Sequence, residues 1–147
     1  MDYNRSIKEI RKIIHKDPGN ACRSVVDFLH DNFSKYSWVG IYLVKNEEII
    51  LGPWKGPQAT EHVRIPIGNG VCGSAVASGV TEIVDDVNAD PRYLSCFIST
   101  KSEIVVPIKK NNVVFGEIDI DSDESAAFDK QDADFLENVA VILGNVL

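Results

Sequence analysis

Apolar residues recur at helical spacing near both ends of the chain. Residues 4–15 place four isoleucines along one side of a helix, and residues 21–33 carry a similar stripe that includes Cys22. Residues 130–146 carry a third stripe, and Asp129 stands where a side chain can cap the first turn of that helix. The pattern therefore predicts two N-terminal helices and one C-terminal helix.

Between these helices the pattern changes to that of strands and turns. Residues 38–44 are β-branched and aromatic, and the polar turn at 45–48 leads into a returning strand at 49–51. Residues 52–57 have the glycines and prolines of a loop, and residues 63–67 alternate like a short edge strand. The remaining elements are a short helix at 71–78 ended by Gly79, a strand at 81–84, a polar loop at 85–96, and two long strands at 104–108 and 113–121.

This order predicts an α+β fold in which helices cover a central antiparallel sheet. We expect a single domain over residues 1–147, with helices in 1–34, the sheet and its loops in 37–122, and a last helix at 130–146.

Two aromatic residues of the first strand fall on one face of the sheet. Trp38 and Tyr42 are four residues apart, with Gly40 between them, so an unbroken strand places both on the same side. They could wall a small-molecule pocket or belong to the core, and spacing alone favours the core.

The last two strands form a hairpin whose register follows from its apolar positions. A three-residue loop at 110–112 pairs Ile104 with Ile118 and keeps one face wholly apolar. The other face then gathers carboxylates, with Glu103 opposite Asp119.

Three acids share that second face: Glu103, Asp119 and Asp121. Like charges placed close together raise the pKa of at least one of them. Such a cluster can hold a proton near neutral pH or bind a cationic group such as an ammonium. The alternative is an exposed sheet face with solvated carboxylates.

Composition and charge exclude several classes of function. The chain has 147 residues, a formal net charge of −7 and a pI of about 4.9, and its basic residues are scattered. Nucleic acid is therefore a poor partner, because phosphate binding requires clustered basic residues. No apolar run approaches the roughly 20 residues of a membrane span, and the N-terminus does not resemble a signal peptide. We expect a cytoplasmic protein.

The three cysteines, Cys22, Cys72 and Cys96, do not form a disulfide framework or a CxxC motif. The histidines have no ligand spacing with them, so neither a metal site nor another cofactor is predicted. Cys22 lies in an apolar stripe and is expected to serve the core, with a third redox thiol as the alternative.

Two of these cysteines and the acids together suggest redox chemistry. Cys72 follows a glycine-rich turn at a predicted helix start, which favours a thiolate, and Cys96 precedes the strand that carries Glu103. A thiolate can attack a sulfoxide sulfur while an acid protonates the oxygen, which leaves a cysteine sulfenic acid. A second thiol converts this to a disulfide that an external dithiol reduces. From composition alone, two unrelated buried cysteines remain the alternative.

Short motifs along most of the chain resemble the free methionine-R-sulfoxide reductase family, which belongs to the GAF-domain superfamily. They extend in order from the first strand toward the final helix. The motifs are WVGIY at 38–42, LGP at 51–53, RIP at 64–66, GVCG at 70–73, DV at 86–87, SEIVVP at 102–107 and DIDS at 119–122.

The resemblance implies an oxidoreductase with a GAF-like fold that reduces free, not protein-bound, methionine-R-sulfoxide and uses a disulfide as acceptor. It implies that Glu103, Asp119 and Asp121 hold the amino group and the sulfoxide oxygen. It also implies that Trp38 and Tyr42 bound the methyl end of the substrate.

By position, the resemblance makes Cys96 the nucleophile and Cys72 its partner, with the two roles open to exchange. It implies a Cys72–Cys96 disulfide and thioredoxin or a similar dithiol as reductant. Many family members carry a further cysteine at the position of His62, so a relay of three thiols is broken here and two cysteines must suffice.

Two other readings stay open. A non-catalytic GAF module could sense a small ligand, and a Cys72–Cys96 disulfide could be only a structural clasp. The N-terminal helices can pack on the sheet or pair with a second subunit, so a homodimer also stays open.

Overall fold

A computed structural model describes residues 2–93, 97 and 99–147. Within these residues the α-helices are α1 (Tyr3–Lys16), α2 (Ala21–Asn32), α3 (Gly70–Ser78) and α4 (Lys130–Val146). The strands are β1 (Trp38–Lys45), β2 (Glu48–Lys55), β3 (Arg64–Pro66), β4 (Glu82–Val84), β5 (Ser102–Lys110) and β6 (Val113–Ser122). None of the helices in this part of the chain is long and apolar enough to span a bilayer.

The strands form one antiparallel sheet in the order β3-β2-β1-β6-β5-β4. This confirms the predicted α+β architecture. The loop predicted at 52–57 is wrong for its first part, because β2 continues to Lys55 and pairs with β1. An irregularity opposite residues 40–42 of β1 takes up the extra residue, which is how a strand accommodates Pro53.

Helices cover both faces of the sheet. The larger core lies between one face and helices α1, α2 and α4, and it includes Ile41, Ile104 and Ile118. Helix α3 packs on the opposite face, where Val71, Val76 and other apolar residues form a smaller core. The two faces therefore have different surroundings, and the carboxylates belong to the face that α3 covers.

Asp132 ties the two ends of the chain together. It forms a capping box with Asp129 at the start of α4, which confirms Asp129 as the N-cap. The fully buried Asp132 carboxylate also accepts hydrogen bonds from the hydroxyls of Tyr3 and Tyr36 and from Lys35 Nζ, at 2.7–2.8 Å. These contacts fix α1 and α4 against the sheet.

The β5–β6 hairpin turns through only two residues, Asn111 and Asn112, which both have positive φ (54° and 64°). A two-residue turn of this kind fits the twist of paired strands. The predicted three-residue loop is therefore wrong.

A bulge near Phe115 then corrects the pairing. Lys109 faces Val114, but Ile108 faces Gly116, so Phe115 is the extra residue. Beyond it Ile104 faces Ile120, two residues away from the predicted partner Ile118. A register shift of two residues leaves each side chain on the same face of its strand, so the apolar and acidic faces were predicted correctly.

Candidate active site

The candidate site lies on the three central strands. On the face beneath α3, Trp38 of β1 is opposite Asp121 of β6, and Gly40 is opposite Asp119. Asp121 in turn is opposite Glu103 of β5, so the predicted pairing of Glu103 with Asp119 is wrong. Directly opposed residues of neighbouring strands point to the same side of a sheet. The register therefore brings all three predicted acids together.

A fourth carboxylate, Glu117, lies on the same face two residues before Asp119. We call the face that carries Glu103, Glu117, Asp119 and Asp121 the acid face. These residues are 4%, 0%, 3% and 2% exposed, respectively. An exposed face with solvated carboxylates is therefore excluded.

Sequence reasoning missed Glu117 as a site residue. Both of its carboxylate oxygens are buried, and neither meets a hydrogen-bond partner within residues 2–93, 97 and 99–147. The alternation Glu117, Asp119, Asp121 along β6 carried the signal, because these three positions must share a face. Burial raises the pKa of Glu117 well above its ordinary value and the charge of Asp119 raises it further, whereas the neighbouring Cys72 thiol acts in the opposite direction. A buried carboxyl perturbed in this way is typical of a functional site.

Cys72 reaches the acid face from the first turn of α3. The turn before it uses positive φ at Gly68 and Gly70, which glycine adopts without steric cost. Gly73 packs so closely that an added Cβ would lie 2.6 Å from the carbonyl oxygen of Pro66. This close approach presses α3 onto the sheet, and Cys72 Sγ comes within 3.8 Å of Glu103 Oε2.

Burial dominates the electrostatics of the acids. It raises the pKa of Glu103 and Asp121 well above the ordinary range, and the charge of Asp119 raises both further. The pKa of Asp119 is also raised by burial, with hydrogen bonding to Glu103 and Cys72 acting in the opposite direction. Three carboxyls so close together cannot all ionise, so they share at least one proton near neutral pH.

The same surroundings keep Cys72 protonated. Burial raises the pKa of its thiol well above the usual value, and the charges of Asp119, Glu117, Glu103 and Asp121 raise it further. The thiolate predicted from the helix start is therefore wrong in this state. Burial and the charge of the neighbouring acids outweigh the weak positive potential of one helix turn.

Trp38 closes one end of the acid face. Its ring centroid lies 6.1 Å from that of Trp54, in a stacked arrangement, and 5.9 Å from that of Phe97. The indole Nε1 is buried and has no hydrogen-bond partner within the described part of the protein. A rigid aromatic wall with a spare donor therefore borders the carboxylates.

Tyr42 lies on the same face, as predicted, opposite Glu117. Its hydroxyl donates a hydrogen bond to the backbone carbonyl of His62 at 2.7 Å, and its ring packs in the smaller core. Tyr42 thus links the acid face to the segment before β3.

The structure does not place the other two cysteines on the acid face. Cys96 lies outside the described residues, so its predicted part in the site stays a prediction. Cys22 on α2 is partly buried and packs against the larger core, on the other side of the sheet from Cys72.

Among the described residues, one group could hold a metal ion. The donor atoms of Cys72, Glu103 and Asp119 all lie within 4.8 Å of one another. Spacing along the sequence gave no sign of this group, because its members come from three different elements.

Comparisons with known proteins agree with the geometry. The family model for the GAF domain matches residues 17–147. The chain is 35% identical over 119 residues to the free methionine-R-sulfoxide reductase of Escherichia coli, an alignment that covers 81% of this chain and 71% of that protein.

Two solved structures superpose closely on this fold. One is the free methionine-R-sulfoxide reductase of Neisseria meningitidis in complex with its substrate, with a TM-score of 0.91, 36% identity, and coverage of 98% of this chain and 87% of that one. The other is the reduced form of the Staphylococcus aureus fRMsr, with a TM-score of 0.92, 36% identity, and coverage of 99% and 95%. The chain therefore belongs to the free methionine-R-sulfoxide reductase family of GAF-domain proteins.

Proposed function

We propose that this chain is an oxidoreductase that reduces free methionine-R-sulfoxide to methionine. The observation that supports this most is the buried acid face beneath α3, with Cys72 Sγ 3.8 Å from Glu103 Oε2. It combines a thiol, a carboxylic acid and uncompensated negative charge in one place. The related enzymes from Escherichia coli and Neisseria meningitidis carry this activity in their names.

The negative charge favours a substrate with a free ammonium group. Among the described residues, no lysine or arginine forms an ion pair with Glu103, Asp119 or Asp121. One oxygen each of Asp119 and Asp121 is buried and finds no hydrogen-bond partner among those same residues. A free amino acid supplies an ammonium that satisfies these oxygens, whereas a methionine residue within a peptide has only an amide there.

Glu103 is suited to serve as the acid. It lies beside Asp121 on the neighbouring strand and beside the Cys72 thiol. Burial and the charges of Asp119 and Asp121 raise its pKa well above the usual value, and in this proposal Glu103 is the acid that carries the proton of the cluster. A protonated carboxyl can donate to the sulfoxide oxygen as the thiol attacks.

The chemistry proceeds through two cysteines. The Cys96 thiolate attacks the sulfoxide sulfur while the acid protonates its oxygen, and that oxygen ends on the cysteine as a sulfenic acid with release of methionine. The Cys72 thiol then attacks the sulfenic sulfur, forming a Cys72–Cys96 disulfide and releasing water. A dithiol such as thioredoxin reduces the disulfide and restores both thiols.

The aromatic residues bound the other end of the substrate. In this proposal the methyl group packs against the Trp38 ring, which Trp54 and Phe97 hold in place. Tyr42 lies four residues after Trp38 on the same strand, opposite Glu117, and in this proposal it also borders the methyl end of the substrate.

The test is methionine formation from free methionine-R-sulfoxide, with thioredoxin and its reductase as electron supply. We expect turnover with the R diastereomer and far less with the S diastereomer. The C22S variant is the matched control, because Cys22 packs on the far side of the sheet. Absence of methionine from a folded, fully reduced protein would refute the proposal.

A further inference from the structure

The acid face carries a second possibility that does not involve the sulfoxide. Cys72 Sγ, Glu103 Oε2 and an Asp119 carboxylate oxygen converge within 4.8 Å of one another, and the sulfur lies 3.8 Å from the glutamate oxygen. In a tetrahedral zinc site, Zn–S and Zn–O bonds of about 2.3 and 2.1 Å separate sulfur from oxygen by about 3.6 Å. The distance from Cys72 Sγ to Glu103 Oε2 is close to this value, and the remaining donor pairs lie within 4.8 Å.

Glu117 is a separate observation that points to a ligand. It is fully buried, and in the described part of the chain no group lies in hydrogen-bonding geometry with either carboxylate oxygen. It shares the face of β6 with Asp119, and its charge is one of those that raise the pKa of the Cys72 thiol. A carboxylate buried beside three convergent donors is placed to favour a cation there through its charge.

The charges and the donor types select the ion. Four acids and a thiol lie together, and among the described residues none of these acids forms an ion pair with a basic side chain. Magnesium and calcium prefer oxygen donors alone, whereas zinc and cobalt accept thiolate together with carboxylate. The mixed donor set therefore favours a thiophilic divalent cation.

We propose that the reduced protein binds one Zn²⁺ or a similar thiophilic cation through Cys72, Glu103 and Asp119, with the nearby Glu117 carboxylate contributing charge from outside the ligand set. Binding forms a metal–sulfur bond and releases the thiol proton to the buffer. The ion would occupy the place proposed above for the substrate ammonium and sequester the resolving thiol. Inhibition of the reductase by zinc rests on the proposed function, but metal binding itself does not.

Cobalt is the probe that reports the ligands directly. The full chain is reduced with a phosphine rather than a dithiol, because dithiols bind the metal themselves, and is titrated with Co²⁺. We expect one equivalent to bind, with a near-ultraviolet thiolate-to-cobalt charge-transfer band and the intense visible bands of a tetrahedral ion. One equivalent of Zn²⁺ should abolish both.

Variants assign the band. C72S and, as a second variant, C72A should lose it, whereas C22S and C96S should retain it. E117Q should retain the thiolate band but bind Co²⁺ about 10–100-fold more weakly. Thermal melts confirm that each variant is folded. A band that is absent from the wild type, or that survives in both folded Cys72 variants, would overturn the proposal.

A reductase assay separates this proposal from the proposed function. With buffered Zn²⁺ and thioredoxin as reductant, we expect inhibition that rising methionine-R-sulfoxide relieves. A cobalt band without any turnover would support the metal site and refute only the reductase. Turnover without a cobalt band would do the reverse.

Discussion

Replacing Gly40 by alanine should displace the Trp38 ring from the end of the acid face. An added Cβ would lie 2.4 Å and 2.6 Å from two carbons of that ring. Because carbon atoms normally approach to about 3.5–4.0 Å, the ring must move by roughly 1 Å or more.

The ring has little room to move. Gly56 packs against it from another side, since a Cβ there would lie 2.3 Å from Trp38 Cδ1. Trp54 and Phe97 contact it as well. Overpacking of this kind costs about 1–3 kcal/mol of the free energy of unfolding. For a chain of this size that corresponds to a Tm lower by about 2–12 °C.

The assay combines a thermal melt with steady-state kinetics on free methionine-R-sulfoxide. We expect G40A to lower Tm by that amount and to raise KM, because the wall proposed to contact the methyl group is displaced. G19A is the matched control, since the nearest atom to its added Cβ is 4.0 Å away. If G40A left both Tm and KM at the wild-type values, the close packing of Trp38 against β1 would be wrong.

Three further changes test the buried polar groups and the two thiols. D132N should lower the free energy of unfolding by about 1.5–3 kcal/mol at neutral pH, because the charged acceptor for Lys35 is lost. Urea unfolding measures this change. Burial acts to raise the pKa of Asp132, but hydrogen bonds from Lys35 and the neighbouring tyrosines outweigh it and leave the pKa lowered. The stability that the Asp132 carboxylate contributes is therefore present above pH about 4 and is lost as pH falls through the pKa of the folded protein. If D132N lost stability in acid as steeply as the wild type, this assignment would be contradicted. E103Q should lower kcat for methionine formation about 10²–10⁴-fold while Tm stays near the wild-type value, and an unchanged kcat would remove Glu103 as the acid. C96S should give no methionine in a single turnover without reductant and C72S one equivalent, and the opposite result would exchange the two roles.

Much of the fold could be predicted because it follows from local patterns. The stripes of α1, α2 and α4 and the capping residue Asp129 are visible in the sequence, and the structure confirms them. The two faces of β6 could be assigned for the same reason, since alternation depends only on neighbouring residues.

The errors arose where distant groups decide the outcome. The hairpin register depends on a bulge near Phe115 that no residue type announces, so Glu103 was placed opposite Asp119 instead of Asp121. The prediction of a thiolate at Cys72 took account only of the helix that carries it, and not of burial or of the acids on the sheet beneath α3. Glu117 was overlooked because its burial depends on how α3 packs over the sheet.

The most direct test of the proposed acid face compares two derivatives of the substrate that differ in charge. N-acetyl-methionine-R-sulfoxide lacks the ammonium, whereas the methyl ester keeps it and is of similar size. The ammonium is proposed to neutralise Asp119 and Asp121, so its removal should cost about 2–5 kcal/mol of binding free energy in the transition state. We therefore expect kcat/KM for the N-acetyl compound to fall roughly 30- to 5,000-fold. The methyl ester should lose much less. Equal kcat/KM for the N-acetyl derivative and the free amino acid would contradict the account.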